Sequence, residues 1–134
     1  MQKILVVDDA EVNRELLKSI LENEYIVEMA VNGKQALQKL QDYHNDTAAV
    51  LLDLQMPIID GFTVIAEMKR KGWIERVPVL IISGETGVEI ESQCFELGVS
   101  DFIHKPFDAS IVRNRVTSLA VLKEVLPLLE AQED

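Results

Sequence analysis

Only one cysteine, Cys94, occurs in the 134 residues, so no internal disulfide can form. It lies in the helix-forming run Glu91-Ser92-Gln93-Cys94-Phe95 and reads as a small core residue. With no second thiol to pair with, a redox role is disfavoured. The two histidines, His44 and His104, offer no zinc-ligand spacing. No apolar run approaches the roughly 20 residues of a membrane span. A secretory leader is not expected either, since Ile4–Val7 is short and Asp8-Asp9 follows at once. These absences place the chain in the cytoplasm as an expectation. A basic surplus is lacking too. The net charge of -10 argues against direct nucleic-acid binding and against docking on an anionic membrane.

What is present suits one domain with a real core. The chain is 48% hydrophobic and 27% charged, and it has no internal repeat, low-complexity stretch or internal linker. Apolar strand patterns alternate with helical ones. Strands are expected at 3–7, 25–30, 47–52, 77–83 and 100–103. Helices are expected at 10–22, with Val12, Leu16, Leu17, Ile20 and Leu21 at helical spacing, after Asn32-Gly33, at 61–71, with Phe62, Ile65, Ala66 and Met68 as its apolar residues, at 88–97 ahead of Gly98, and from about Asp108 onward. Several strands are apolar throughout, which demands cover on both faces. The fold class is therefore α/β, a doubly wound five-stranded parallel sheet.

Four short stretches stand at the ends of those strands: Asp8-Asp9, Asp53, Ser83-Gly84 and Lys105-Pro106. In a parallel sheet the strand ends share one edge, where ligands bind. Adjacent carboxylates repel one another unless a cation intervenes. A hard divalent ion such as Mg²⁺ suits them, with Asp9 and Asp53 as direct ligands, Asp8 through water, and the backbone carbonyl of Gln55. Asp53 can act as a nucleophile toward phosphorus and form an acyl phosphate. Lys105 can pair with Asp53 at rest and hold a phosphoryl oxygen afterwards. Ser83 places a hydroxyl at the same point, and Gly84 keeps the approach open. The donor would be a phosphohistidine on a partner protein or a small acyl phosphate. Taken one at a time, these residues read equally well as helix caps, turn residues or ordinary surface groups.

The set Val6-Val7-Asp8-Asp9, Asn32-Gly33, Asp53 through Gly61, Ile82-Ser83-Gly84 and Lys105-Pro106-Phe107 resembles the receiver domain of bacterial two-component response regulators. The likeness covers Gln2 to Leu122, so residues 1–122 are expected to form the receiver and 123–134 a C-terminal helical tail or linker. The resemblance implies a flavodoxin-like sheet in the order 2-1-3-4-5. It implies Mg²⁺-dependent phosphorylation of Asp53 by a sensor histidine kinase or a phosphotransfer protein, and a cis bond before Pro106. It further implies that Ser83 and Phe102 switch conformation and that Gln55 and Glu85 tune the acyl phosphate lifetime. The responding surface would be the fourth helix, fifth strand and fifth helix, which control an output domain or partner. Phe102 lacks the hydroxyl of the tyrosine frequent at its position.

Three other readings compete. A phosphatase of the haloacid dehalogenase type needs a second aspartate two residues after the nucleophile, where Gln55 stands. A flavodoxin-type electron carrier needs a hydroxyl- and glycine-rich phosphate loop, where Asp8-Asp9-Ala10-Glu11 stands. A phosphorylation-independent interaction module would not need the full site. In the tail, Val112, Leu119 and Leu126 recur every seven residues, with Leu122 and Leu129 beside them, as in a coiled-coil seam. Ile111, Val116 and Leu119 are expected to pack on the sheet, and Pro127 to stop or kink the helix. The leucines after Leu122 call for a second copy or a downstream domain.

Overall fold

The computed structural model describes residues 1–85 and 87–132. Five strands, β1 (Lys3–Val7), β2 (Ile26–Ala30), β3 (Thr47–Leu52), β4 (Val79–Ser83) and β5 (Asp101–His104), form one sheet. All its pairings are parallel, in the order β2-β1-β3-β4-β5. The helices are α1 (Glu11–Leu21), α2 (Gly33–Tyr43), α3 (Gly61–Arg70), α4 (Val88–Leu97) and α5 (Ala109–Gln132). Two single 3-10 turns, His44–Asp46 and Trp73–Glu75, lead into β3 and toward β4.

Strand side chains alternate between faces, and each face has its own core. Leu5, Val7, Val50, Leu52, Val79 and Ile81 meet Ala36, Leu40, Val64, Ile65, Met68 and Cys94 of α2, α3 and α4. Ile4, Val6, Ala49, Leu51, Leu80, Ile82 and Ile103 meet Leu17 and Leu21 of α1 and Val112, Val116, Leu119 and Ala120 of α5. Each buried Val, Leu or Ile contributes about 1.5–3 kcal/mol of transfer free energy. This double burial forces the doubly wound arrangement.

Helix ends follow from single residues. Asn32 accepts from the Gln35 N–H at 2.8 Å, and Asp60 accepts from the Thr63 N–H at 2.9 Å. Asp108 accepts from the N–H groups of Ser110 and Ile111. Gly98, at φ 109°, closes α4.

Several expectations need correction. Tyr25 precedes β2, and β4 begins at Val79, two residues after the start read from the apolar pattern. On α1, Val12 and Leu16 are exposed although they share the helical spacing of Leu17 and Leu21. On α3 the buried stripe includes Val64, whereas Ala66 is exposed. Ile111 is 45% exposed, while its neighbour Val112 is fully buried. The reason is geometric. α5 meets the sheet along 112, 116, 119 and 120, and a position one residue off that line turns away by about 100°. Pro127 does not end the helix, since α5 continues to Gln132. Lys123 Nζ donates to the Arg76 carbonyl at 2.7 Å, which anchors the turn before the proline.

One backbone feature is costly. Ile58, in the loop between β3 and α3, has φ 72° and is 89% exposed. A β-branched residue in the left-handed region carries a penalty of about 1–2 kcal/mol. Ile58→Asn is expected to stabilise the fold by about 1 kcal/mol, because Asn tolerates this conformation. Thermal unfolding followed by circular dichroism should show a midpoint about 3–4 °C higher. A lower midpoint would mean that Ile58 makes contacts outweighing its strain.

Candidate functional site

The sheet order brings the strand ends together. Val7 and Leu52 are register partners, so Asp8 and Asp53 each begin the loop at the same point on adjacent strands. The Asp53 N–H donates to the Val7 carbonyl at 3.0 Å, which fixes that junction. On the other side of β3, Ser83 lies opposite His104, and the Lys105 N–H donates to the Ser83 carbonyl at 2.9 Å. Strands are added to one side of β1 and then to the other, and this reversal of winding between β1 and β3 opens the crevice between these ends.

Asp8, Asp9 and Asp53 each present one carboxylate oxygen within 4.8 Å of the others. Asp8 and Asp53 are buried, and Asp9 is exposed. Lys105 Nζ lies 3.1 Å from Asp8 Oδ2 and 3.1 Å from Asp53 Oδ2. Backbone donors take the remaining oxygens, Ala10 N–H to Asp8 Oδ1 at 2.9 Å and Gln55 N–H to Asp53 Oδ1 at 3.2 Å. The Gln55 side chain is exposed, and Glu85 is half-buried. Ser83 is completely buried, and its Oγ accepts from the Glu85 N–H at 3.1 Å. An added Cβ at Gly84 would touch nothing within 4 Å. The Lys105–Pro106 peptide bond is cis. Phe102 is half-buried, with its ring 5.0 Å from that of His104. Sequence reading missed Arg14, whose Nη1 donates to the Asp8 carbonyl at 2.8 Å. Its position on α1, six residues after Asp8, was the available signal.

The electrostatics are unbalanced. Burial raises the Asp53 carboxyl above its ordinary range, and the Asp8 charge adds to this. The Gln55 N–H and the Lys105 ammonium oppose it without winning. For Lys105, burial works against the charged form. The hydrogen bond to Asp8 and the charges of Asp53 and Asp8 outweigh it, so the ammonium sits above its ordinary range. One ammonium serves two of three carboxylates, and no cation pairs with Asp9 among the described residues. An all-oxygen donor set with surplus negative charge fits a hard divalent cation.

The other titratable residues stand apart. Cys94 is buried, and burial first, then Glu85 and Glu91, push its thiol up, as suits a core residue. His44 stacks on Trp73 at 5.0 Å, whereas His104 pairs with Glu91. No helix among the described residues is long and apolar enough to cross a membrane.

Comparison with known proteins agrees with the geometry. The family model described as the response regulator receiver domain matches residues 4–117. Response regulator PleD of Caulobacter vibrioides is 39% identical over 132 residues, which is 98% of this chain and 29% of that protein. A probable cyclic di-GMP phosphodiesterase of Vibrio cholerae is 34% identical over 131 residues, again 98% of this chain and 29% of that protein. The chain thus spans under a third of the length of these relatives. Among solved structures, chemotaxis protein CheY4 of Vibrio cholerae superposes with a TM-score of 0.81 at 26% identity, covering 89% of this chain and 98% of that one. A probable two-component system response regulator/GGDEF domain protein gives 0.84 at 25% identity, covering 92% of this chain and 51% of that one. Shared fold, matched family and a carboxylate crevice at the switch point agree: this chain belongs to the receiver domains of two-component response regulators.

Proposed function

We propose that the chain is a phosphorylation-dependent switch in which Asp53 accepts the phosphoryl group. The observation that carries this reading is the Lys105 ammonium at 3.1 Å from Asp53, inside the cluster of Asp8, Asp9 and Asp53. A carboxylate oxygen of Asp53 attacks phosphorus, and the bond from phosphorus to the donor's imidazole nitrogen or acyl oxygen breaks. The leaving group takes the electron pair, and a phosphohistidine donor's imidazole recovers a proton. No separate general base is required, because the carboxylate attacks in its ionised form, which Lys105 and a bound divalent cation would both favour against burial. Mg²⁺, held by Asp9 and Asp53, by Asp8 through water and by the Gln55 carbonyl, would supply charge neutralisation for the transferred group. Lys105 then pairs with a phosphoryl oxygen, and Ser83 exchanges the Glu85 N–H for the same group. Gln55 and Glu85, at the rim, would set how readily water reaches the acyl phosphate.

The phosphoryl group adds about -1.5 to -2 charges. Its contacts with Ser83 and Lys105 favour one of two pre-existing arrangements, coupled to Phe102 and to the surface of α4, β5 and α5. A sensor histidine kinase or phosphotransfer protein in the cytoplasm would be the donor. An output module or separate partner would be the receiver of the signal. Residues 1–122 would form the switch, and 123–134 a helical tail or linker, of which 133–134 lie outside the described residues. Val121, Leu122, Leu128 and Leu129 are exposed, which supports pairing of a second copy along this helix or the α4-β5-α5 face. The direct test is incubation with acetyl phosphate and Mg²⁺, then peptide mapping. A base-labile, hydroxylamine-sensitive acyl phosphate on the Asp53 peptide is expected. Its location on another residue would overturn the assignment.

A metal prediction follows from the charge imbalance. Without a divalent ion, native Asp53 binds its proton more tightly than unfolded Asp53 does. Folding stability therefore declines as pH rises from the ordinary carboxylate value through the raised one. Binding of Mg²⁺ removes this penalty. At ten times its dissociation constant the ion should add about 1.4 kcal/mol, a midpoint rise of about 5 °C. Asp9→Asn, at an exposed position, should fold normally and lose most of that rise. An equal rise in the variant would place the ion elsewhere.

A further inference from the structure

Resting on the switch reading above, we propose that His104 and Glu91 form a latch that holds α4 and Phe102 in the resting arrangement. The His104 Nε2–H donates to Glu91 Oε1 at 2.5 Å, tying the end of β5 to the first turn of α4. Phe102 and His104 are two apart on β5 and so project to the same face, the one α4 covers, while Ile103 joins the opposite core. The two rings lie 5.0 Å apart at 47°. One imidazole therefore touches both the aromatic of the switch and the helix that must respond to it.

Besides the latch, the first turn of α4 is held by Ile90, which packs on the core. Among the described residues no side chain caps it: its N-cap is Gly87, at φ 125°, and Val88 is 83% exposed. A small cleft of about 300 Å³ opens there, lined by Gly87, Val88, Glu91 and His104. The backbone side of the latch is equally placed. His104 is the register partner of Ser83, and the next residue is Lys105, whose N–H bonds the Ser83 carbonyl. Any re-aiming of Ser83 and Lys105 toward a phosphoryl group reaches His104 through one peptide unit or one rung of the sheet.

The contact belongs to the resting state. The Lys105 ammonium is engaged by Asp8 and Asp53, and the Ser83 hydroxyl is turned to the Glu85 N–H. A contact made in only one of two arrangements biases the equilibrium toward it. By linkage, removing that contact raises affinity for whatever selects the other arrangement.

Beryllofluoride with Mg²⁺, a stand-in for the phosphoryl group, provides the probe. NMR titration of the full chain should give about two- to fivefold tighter binding for His104→Ala and for Glu91→Gln, the size of a half-exposed pair. The double variant should match either single one, because both remove the same contact. Phe102 ring signals of the ligand-free variants should move toward their ligand-bound positions. A pair that only supported the fold would lower the melting midpoint and leave this affinity alone. Unchanged or weaker binding in either single variant overturns the latch. Failure of the unsubstituted protein to bind the probe would instead overturn the switch reading beneath it.

Discussion

Asp53→Asn is expected to abolish labelling by acetyl phosphate in Mg²⁺ under conditions that label the unsubstituted protein. The amide is nearly isosteric, so it keeps the volume of a buried position and an oxygen for the Gln55 N–H. What it loses is the anionic nucleophile, and an amide oxygen forms no stable acyl phosphate. The expected change is from stoichiometric labelling to none, read by intact mass and by a hydroxylamine-sensitive bond. Lys105→Met separates chemistry from charge. Asp53 remains a nucleophile, but the ammonium at 3.1 Å is gone. Labelling should then persist at a rate lower by about 10²–10³, the scale of one lost charge-stabilising donor. Persistent stoichiometric labelling in the Asp53 variant would show that another residue accepts the group.

Gly61→Ala is expected to cost about 3 kcal/mol, the upper end of ordinary overpacking, and to lower the unfolding midpoint by about 10 °C. Its φ lies outside the left-handed region, and an alanine would ordinarily favour the start of α3. The obstacle is contact. An added Cβ would sit 2.5 Å from the Asp53 carbonyl oxygen and 2.7 Å from the Leu54 Cα. Both are backbone atoms, which cannot rotate aside as a side chain does. The Gly61 N–H also donates to the Leu54 carbonyl at 3.0 Å, holding the start of α3 against the end of β3. Relief of the clash must therefore move the peptide that carries Asp53, so Mg²⁺ affinity should fall along with stability. Gly84→Ala is the matched control, since its Cβ would meet nothing within 4 Å. A change within about 0.5 kcal/mol is expected there. Equal losses at the two glycines would show that close contact is not the cause, since the entropy of the unfolded chain favours alanine at both.

The apolar runs Ile4–Val7, Val50–Leu52 and Val79–Ile82 were enough to define the sheet, because a strand buried on both faces has few other arrangements. The acids, the serine and the lysine were legible for a related reason. Each follows such a run directly, and parallel strands end on one edge. Helix faces were less legible. Val64 against Ala66, or Val112 against Ile111, differ by a rotation of the helix that both neighbouring hydrophobes permit, and only docking on the sheet chooses between them. The continuation of α5 through Pro127 is likewise tertiary, with Lys123 reaching back to the Arg76 carbonyl. The sequence by itself thus determined the fold class and the chemical inventory of the edge. Tertiary structure decided which groups meet: Arg14 on the Asp8 carbonyl, Lys105 shared between two carboxylates, and His104 between Phe102 and Glu91. The physical reason is range, since periodicity and turn chemistry act over a few residues, whereas these contacts, the Phe102–His104 ring pair aside, join positions 6 to 97 residues apart.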